Sequence, residues 1–385
     1  MLTNENLHYL DNAATTIPSP EVVAAVSKSL AENWANPSSL YTPGLENAQL
    51  LNRCRATVAK TLGCTAAEVY FTGCGSESNN IALLGAAHTR QNWGRRIVVS
   101  GFEHPSVQLP LRRLAEEGFE VIEVPPEKDG HLDVEKMAGY VNKGTILVAC
   151  MLVNNELGTR VDTEKLAKLV KTANPRTAVH IDAVQGWMRV PFRLDNIDSL
   201  AVSGHKIHAP KGVGALFLRK GYSQGMKLPL LGGGQEKGVR PGTENIAYAV
   251  GLAAAAQQMQ AGFAKRTEHL AALNRRLRQG LAAIPGITIN SPDDAVSEVL
   301  NLSENCIRSQ TMLNYLAQRQ VYVSSGSACS KGEASHTLTA MGCSALTIDT
   351  ALRVSFCGEN TPQDVDEFLN GLESGIKTLS HIRGH

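Results

Sequence analysis

Among the eight cysteines of this chain (54, 64, 74, 150, 306, 329, 343 and 357) no two stand in C-x-x-C spacing. That argues against both a zinc site and a disulfide framework, so no metal is expected and each cysteine is read as a thiol. An excess of either charge is also missing. Lys plus Arg (37) against Asp plus Glu (36) leaves +1, which gives no electrostatic footprint for nucleic acid or an anionic membrane. A small molecule or another protein is the expected partner. The first ten residues lack a basic segment followed by an apolar core, so a secretory signal is not expected. The most apolar window, 247–256, is short, alanine-rich and flanked by Glu244 and two glutamines, which suits a packed helix and not a membrane span. A cytoplasmic protein is the expectation. Repeats and low-complexity tracts are absent too.

What is present is enough for a large core. Of 385 residues, 43% are hydrophobic and 19% charged, consistent with two domains. From about Val69 to Leu218 short apolar runs alternate with amphipathic segments, the pattern of an α/β fold around a mostly parallel sheet. Seven strands are predicted, at 69–72, 97–100, 121–124, 146–151, 178–182, 200–203 and 214–218. Glu244 to about Ile284 predicts two long helices, with no proline before Pro285. Beyond them, strands at 287–290, 299–302, 321–325 and 352–356 suggest a smaller α+β domain. The boundary falls near residue 262, giving a large domain of 15–262 and a small one of 1–14 with 263–385.

In an open α/β sheet ligands sit outside the carboxyl ends of the strands, and the chemistry-bearing residues cluster at those ends. Asp182 ends one predicted strand, and Ser203-Gly-His-Lys206 follows the next. A lysine amine can form a Schiff base with the aldehyde of pyridoxal phosphate, and a carboxylate can keep the ring nitrogen protonated. Taken singly, Asp182 could be a helix cap and Lys206 a surface lysine. Gln185, Ser203 and His205 flank the pair, and each can bond a ring substituent or a phosphate. Thr72-Gly-Cys-Gly-Ser76 joins a strand to a helix and could cup a phosphate through Gly75 and Ser76, or be purely structural. His104 lies at another strand end, where an imidazole could stack on a ring and shuttle protons, or simply be structural. Asn155 could meet a substrate carboxylate or ring hydroxyl, and otherwise belongs to a turn before Gly158.

Two further stretches are informative. The glycine-rich run 232–243 reads as a loop ending at Thr243, which could cap the following helix and also reach a phosphate. Ser324-Ser-Gly-Ser-Ala-Cys329 places a cysteine among small residues directly after an apolar strand, with Lys331 nearby, as a candidate nucleophile; Cys54, Cys64, Cys150, Cys306 and Cys357 sit in contexts where they are expected only to pack. Cys74 lies in the proposed phosphate cup and stays ambiguous. Arg353 interrupts an apolar strand and suits bidentate capture of a carboxylate, or else faces solvent from an edge strand.

With these residues in view the chain resembles the NifS/IscS group I cysteine desulfurases of the class V aminotransferase family. The likeness runs from Leu10-Asp-Asn-Ala-Ala-Thr15 to Leu352-Arg-Val-Ser355, and is most specific at 203–206, 233–236 with 240–243, and 324–329. It implies the type I fold of pyridoxal phosphate transferases, with Lys206 bonded to the cofactor, Asp182 on the ring nitrogen, Gln185 on the ring hydroxyl and His104 stacked on the ring. Gly75, Ser76, Ser203, His205 and, from the other subunit of a homodimer, Thr243 would hold the phosphate. Asn155 and Arg353 would fix the substrate carboxylate, and Cys329 would take sulfur from L-cysteine as a persulfide, releasing alanine. An iron–sulfur scaffold or another acceptor protein would then receive the sulfur. Two departures stand out: Leu40-Tyr41 replace the histidine the family often has after Asn-Pro-Ser-Ser, and the stretch 330–336 is shorter and lacks Leu-Glu-Pro. A selenocysteine lyase or another aminotransferase is the alternative among enzymes; a non-catalytic sulfur-relay or scaffold protein is the alternative outside them.

Overall fold

The computed structural model describes residues 7–325 and 334–380 of the chain. A two-residue strand, β1 (His8–Tyr9), precedes the main sheet, which is built of β2 (Val69–Thr72), β3 (Arg96–Ser100), β4 (Glu120–Val124), β5 (Thr145–Met151), β6 (Ala178–Asp182), β7 (Ser199–Ser203) and β8 (Gly214–Leu218). The spatial order is β2-β8-β7-β6-β5-β3-β4. Of these seven, β8 alone runs against the rest, being antiparallel to both β2 and β7. Strands β5 to β8 are buried along their whole length, because helices cover both faces.

Alternate residues of each strand feed two separate cores, as the two-residue period of a strand requires. On one face Val98, Val148 and Val179 pack with Val58 and Leu62 of α2 (Thr42–Leu62) and Leu252 of α7 (Ile246–Ala261). On the other, Ile97, Leu147 and Leu216 pack with Ile81 and Leu83 of α3 (Gly75–Arg90) and with Leu111 and Leu114 of α4 (Pro105–Glu116). Each such side chain contributes roughly 1.5–3 kcal/mol on burial. Helix α1 (Pro20–Glu32) lies against α7.

A third core gathers Leu10 with Leu270 and Leu277 of α8 (Phe263–Ala282), Leu300, Leu352, Val354 and Phe368. Its antiparallel sheet has the order β12 (Ala351–Ser355), β10 (Val299–Ser303), β9 (Thr288–Ile289). Strand β1 pairs in parallel with β11 (Val321–Tyr322), and Asp11 bridges to Ser355, so the start of the described chain is tied into this distant sheet. The strand expected over 321–325 therefore ends at Tyr322; after it, Ser324 makes only an isolated bridge to Arg353.

The helix expected from Glu244 starts two residues later. Asn245, not Thr243, is its cap: Asn245 Oδ1 accepts from the backbone N–H of Tyr248 at 3.1 Å. Thr243 is exposed in the preceding loop.

Candidate active site

A cavity of about 320 Å³ opens at the carboxyl ends of β5, β6 and β7, and its wall includes most of the residues singled out from sequence. Asp182 ends β6 and is buried. Its Oδ1 accepts from the backbone N–H of Val184 at 2.9 Å, and its Oδ2 from Asn79 Nδ2 at 2.7 Å. Lys206 ends the single turn Gly204–Lys206 that follows β7, and its Nζ donates to the carbonyls of Ala13 and Ala14 at 2.6 and 2.7 Å. The amine thus rests on the segment that leads in from β1. Gln185 Nε2 donates to Ala13 O at 2.8 Å, and Arg189 donates to Gln185 Oε1.

Helix α3 starts at Gly75 with Cys74 and Ser76 beside it in the cavity wall, so the N–H groups of its first turn are near the ends of β6 and β7. Gly75 is required by close approach. A Cβ there would lie 2.5 Å from Val184 Cγ2. Ser203 Oγ, at the end of β7, is buried and has no hydrogen-bond partner among the described residues. His205 faces Thr15 Oγ1 through Nδ1 at 3.2 Å; burial, with the charge of Lys206, pushes its imidazole down to about 4.

His104 caps α4, its Nδ1 accepting from the backbone N–H of Ser106 at 3.1 Å. That bond needs a lone pair on Nδ1, which places the ring proton of the neutral form on Nε2. Burial holds His104 below the usual imidazole range, opposed by Asp182 and assisted by Lys206. His104 is therefore neutral at physiological pH.

Sequence reasoning missed the residues that fix these groups from behind. Asn79 donates to Asp182 and also to Ser106 Oγ at 2.9 Å, while its Oδ1 faces His180 Nε2 at 2.9 Å. Burial pushes His180 down to about 3, so it is neutral and gives Asn79 a proton donor; this fixes the amide orientation. Asn79 lies one helical turn beyond Gly75, which was the available signal. Glu103 also lines the cavity, fully buried, and burial pushes its carboxyl up to about 8. It is thus uncharged beside the Asp182 carboxylate.

Arg353 is 2% exposed, not solvent-facing. Its guanidinium donates to Asn155 O at 2.9 Å and Asp11 Oδ1 at 2.7 Å. Both Asn155 and Arg353 line the cavity. Thr243 is absent from the cavity wall of its own chain. Its loop is held by Glu236, which takes two bonds from Arg55 and one from the Phe71 N–H, and by Arg240, whose Nε donates to Glu77 at 2.9 Å. Cys329 lies outside the described residues. Tyr41, where the family often has a histidine, is exposed.

Residues 8–368 match the class-V aminotransferase family. The chain is 36% identical to cysteine desulfurase IscS of Methanosarcina thermophila, over 99% of this chain and 94% of the relative. Among solved structures, a NifS-like protein superposes with a TM-score of 0.91 at 34% identity, covering 96% of this chain and 99% of the other. SspA in complex with cysteine gives 0.81 at 29% identity, covering 92% and 99%.

The chain belongs to the class V aminotransferase family, on its NifS/IscS cysteine desulfurase branch. Pyridoxal phosphate is the cofactor of these enzymes, and the cavity fits it on three counts. The orphaned Ser203 hydroxyl and the first turn of α3 are donors for a phosphate. Asp182 is a carboxylate fixed at both oxygens, suited to a ring N–H. The Lys206 amine enters the same space.

Proposed function

We propose that this chain is a pyridoxal phosphate-dependent cysteine desulfurase, converting L-cysteine to L-alanine while its sulfur passes to Cys329 as a persulfide. The reading is carried by one cavity that gathers Lys206, Asp182, His104 and the unpartnered Ser203 hydroxyl, with Arg353 in its wall. The cofactor, when bound, supplies an aldehyde that takes an amine covalently and a protonated ring that draws electrons from the bonds at the α-carbon.

The chain's residues divide the remaining work. Asp182, oriented by Asn79, would hold the ring N–H; Gln185 would serve the ring hydroxyl and His104 would cover the ring. Gly75, Ser76, Ser203 and His205 would hold the phosphate, joined by Thr243 of a second subunit in a homodimer. Arg353 and Asn155 hold the substrate carboxylate, for which Arg353 must shift hydrogen bonds from Asp11 and Asn155 O. The Lys206 amine, which would hold the cofactor, would also take the α-proton of the substrate. The Cys329 thiolate attacks the substrate sulfur: an S–S bond forms, the C–S bond breaks, and the carbon takes a proton as alanine leaves. Ser324, before the segment that holds Cys329, pairs with Arg353, and Ala334 and His336, after it, line the cavity. Both ends of that segment therefore stand at the site.

We assign 15–262 as the cofactor-holding domain and 1–14 with 263–385 as the domain carrying Cys329. The sulfur is passed on to an iron–sulfur scaffold or another acceptor protein. A cytoplasmic location is part of this reading, supported by the balanced charge; among the described residues no helix is long and apolar enough to cross a membrane. The test is incubation of the purified yellow protein with L-cysteine and a reductant. Equal amounts of alanine and sulfide are expected, and transfer of the amino group to a keto acid without sulfide would refute the assignment.

A further inference from the structure

Beside the cofactor site, where the segment after Lys206 meets the one after β12, three chemically different ligands converge. His208, Cys357 and Glu359 each offer one atom, and these atoms lie within 4.8 Å of one another. His208 and Cys357 also line a small cavity that touches Lys206. We propose that His208, Cys357 and Glu359 bind a divalent transition metal ion of the zinc class.

His208 is prepared for this role. Its Nδ1 lies 2.8 Å from the Ile17 carbonyl, which can only accept, so the proton is on Nδ1 and the lone pair on Nε2. Nε2 then faces Glu359 Oε2 at 3.7 Å, beyond hydrogen-bond distance. Two ligands bonded at about 2.1 Å to one tetrahedral ion stand roughly 3.4 Å apart, so this spacing needs only a small closure. The imidazole is also held in place by its backbone. His208 has φ of +66°, uncommon for a residue with a side chain, and is pinned by its N–H to Thr16 Oγ1 at 2.7 Å and by its carbonyl to the Ser19 N–H at 3.3 Å.

Cys357 and Glu359 follow β12 two residues apart, and Asn360 Oδ1 fixes the Cys357 N–H at 2.8 Å. His208 is buried, Cys357 half-buried and the Glu359 side chain 72% exposed, so an ion enters past an exposed carboxylate to the ligands behind it. Imidazole, thiolate and carboxylate together suit zinc or cobalt better than a hard ion such as magnesium, and leave a fourth position for water. Binding exchanges the Cys357 S–H bond for a metal–sulfur bond and releases the proton to solvent. Thiolate and carboxylate then balance the two charges of the ion. Arg189 and Arg266, which line the neighbouring cavity, do not spoil that balance, since both face Glu298 there and are bonded to Gln185 and to the Met188 and Met259 carbonyls.

The test uses the holoenzyme dialysed against zinc and then, separately, against cobalt, with metal content and visible cobalt d–d bands beyond the cofactor's absorption as readouts. One equivalent is expected, with tetrahedral cobalt bands, in wild type and in Cys329→Ser. It should disappear in Cys357→Ser and weaken at least about tenfold in Glu359→Gln, whose exposed site leaves folding intact. No binding by the wild type, binding unchanged in both Cys357→Ser and Glu359→Gln, or binding lost in Cys329→Ser would each overturn the site.

Discussion

The cavity's floor and the wall around Arg353 are assembled from different sheets. On the floor, Asp182, Ser203 and Lys206 come from two successive parallel strands of the main sheet and the turn after them, with Asn79 reaching in from α3 and the Ala13 and Ala14 carbonyls bonded to Lys206. In the wall, Arg353 is bonded to Asp11, 342 residues away, and to Asn155, 198 residues away. The floor's side chains are therefore carried by the main sheet, with the segment at Ala13 and Ala14 closing over Lys206. The wall exists only when the third core has closed around Leu10 and brought β12 to the cavity. In the proposed reading the cofactor ring would lie on the first and the substrate carboxylate would meet the guanidinium on the second.

Variants can break this division. The largest effect should come from Lys206→Ala, with a loss of about ten-thousandfold in kcat and of the protein-linked cofactor absorption. Asp182→Asn should cost about 100- to 1000-fold in kcat with KM little changed, because the lost charge matters as electrons move onto the ring. Arg353→Lys should do the reverse, raising KM for L-cysteine about a hundredfold with a smaller fall in kcat, since lysine cannot reproduce a bidentate fork. A fall confined to kcat there would dissolve the distinction between floor and wall. Asn79→Ala, which touches the cofactor only through Asp182, should lower kcat about tenfold.

Glu103 gives the smallest and most specific effect. Its carboxyl rises from an ordinary 4.5 to about 8 in the folded protein, so the folded state holds a proton that the unfolded state has lost. Stability must then fall as pH rises from about 4.5 to 8 and level off above that. Glu103→Gln carries no such proton. The melting temperature of the wild type minus that of Glu103→Gln should decline across this window, and a flat difference would show that Glu103 is ionised.

Much of this was readable in advance. The seven main strands lay within about a residue of their expected limits because, in all but the edge strand β4, their apolar runs are buried on both faces. The two-residue β1 is too short for any periodicity to reveal, although it anchors the wall. Thr243 and Asn245 are both good caps, and sequence could not tell which would meet the Tyr248 N–H. Asp182, Lys206 and His104 were legible because strand ends mark ligand sites. Asn79 and Glu103 were not, because a polar residue in a helix or loop shows its partners only after folding. The same holds for Cys357, expected only to pack, which meets His208 from a segment nearly 150 residues away.

Single turnover with L-cysteine followed by peptide mass spectrometry tests the central claim most directly. The account predicts one alanine released per subunit and one extra sulfur atom on the peptide containing Cys329, with none on the peptides containing Cys74 or Cys357. Alanine formation with the added sulfur on another cysteine, or undiminished persulfide in Cys329→Ala, would contradict it.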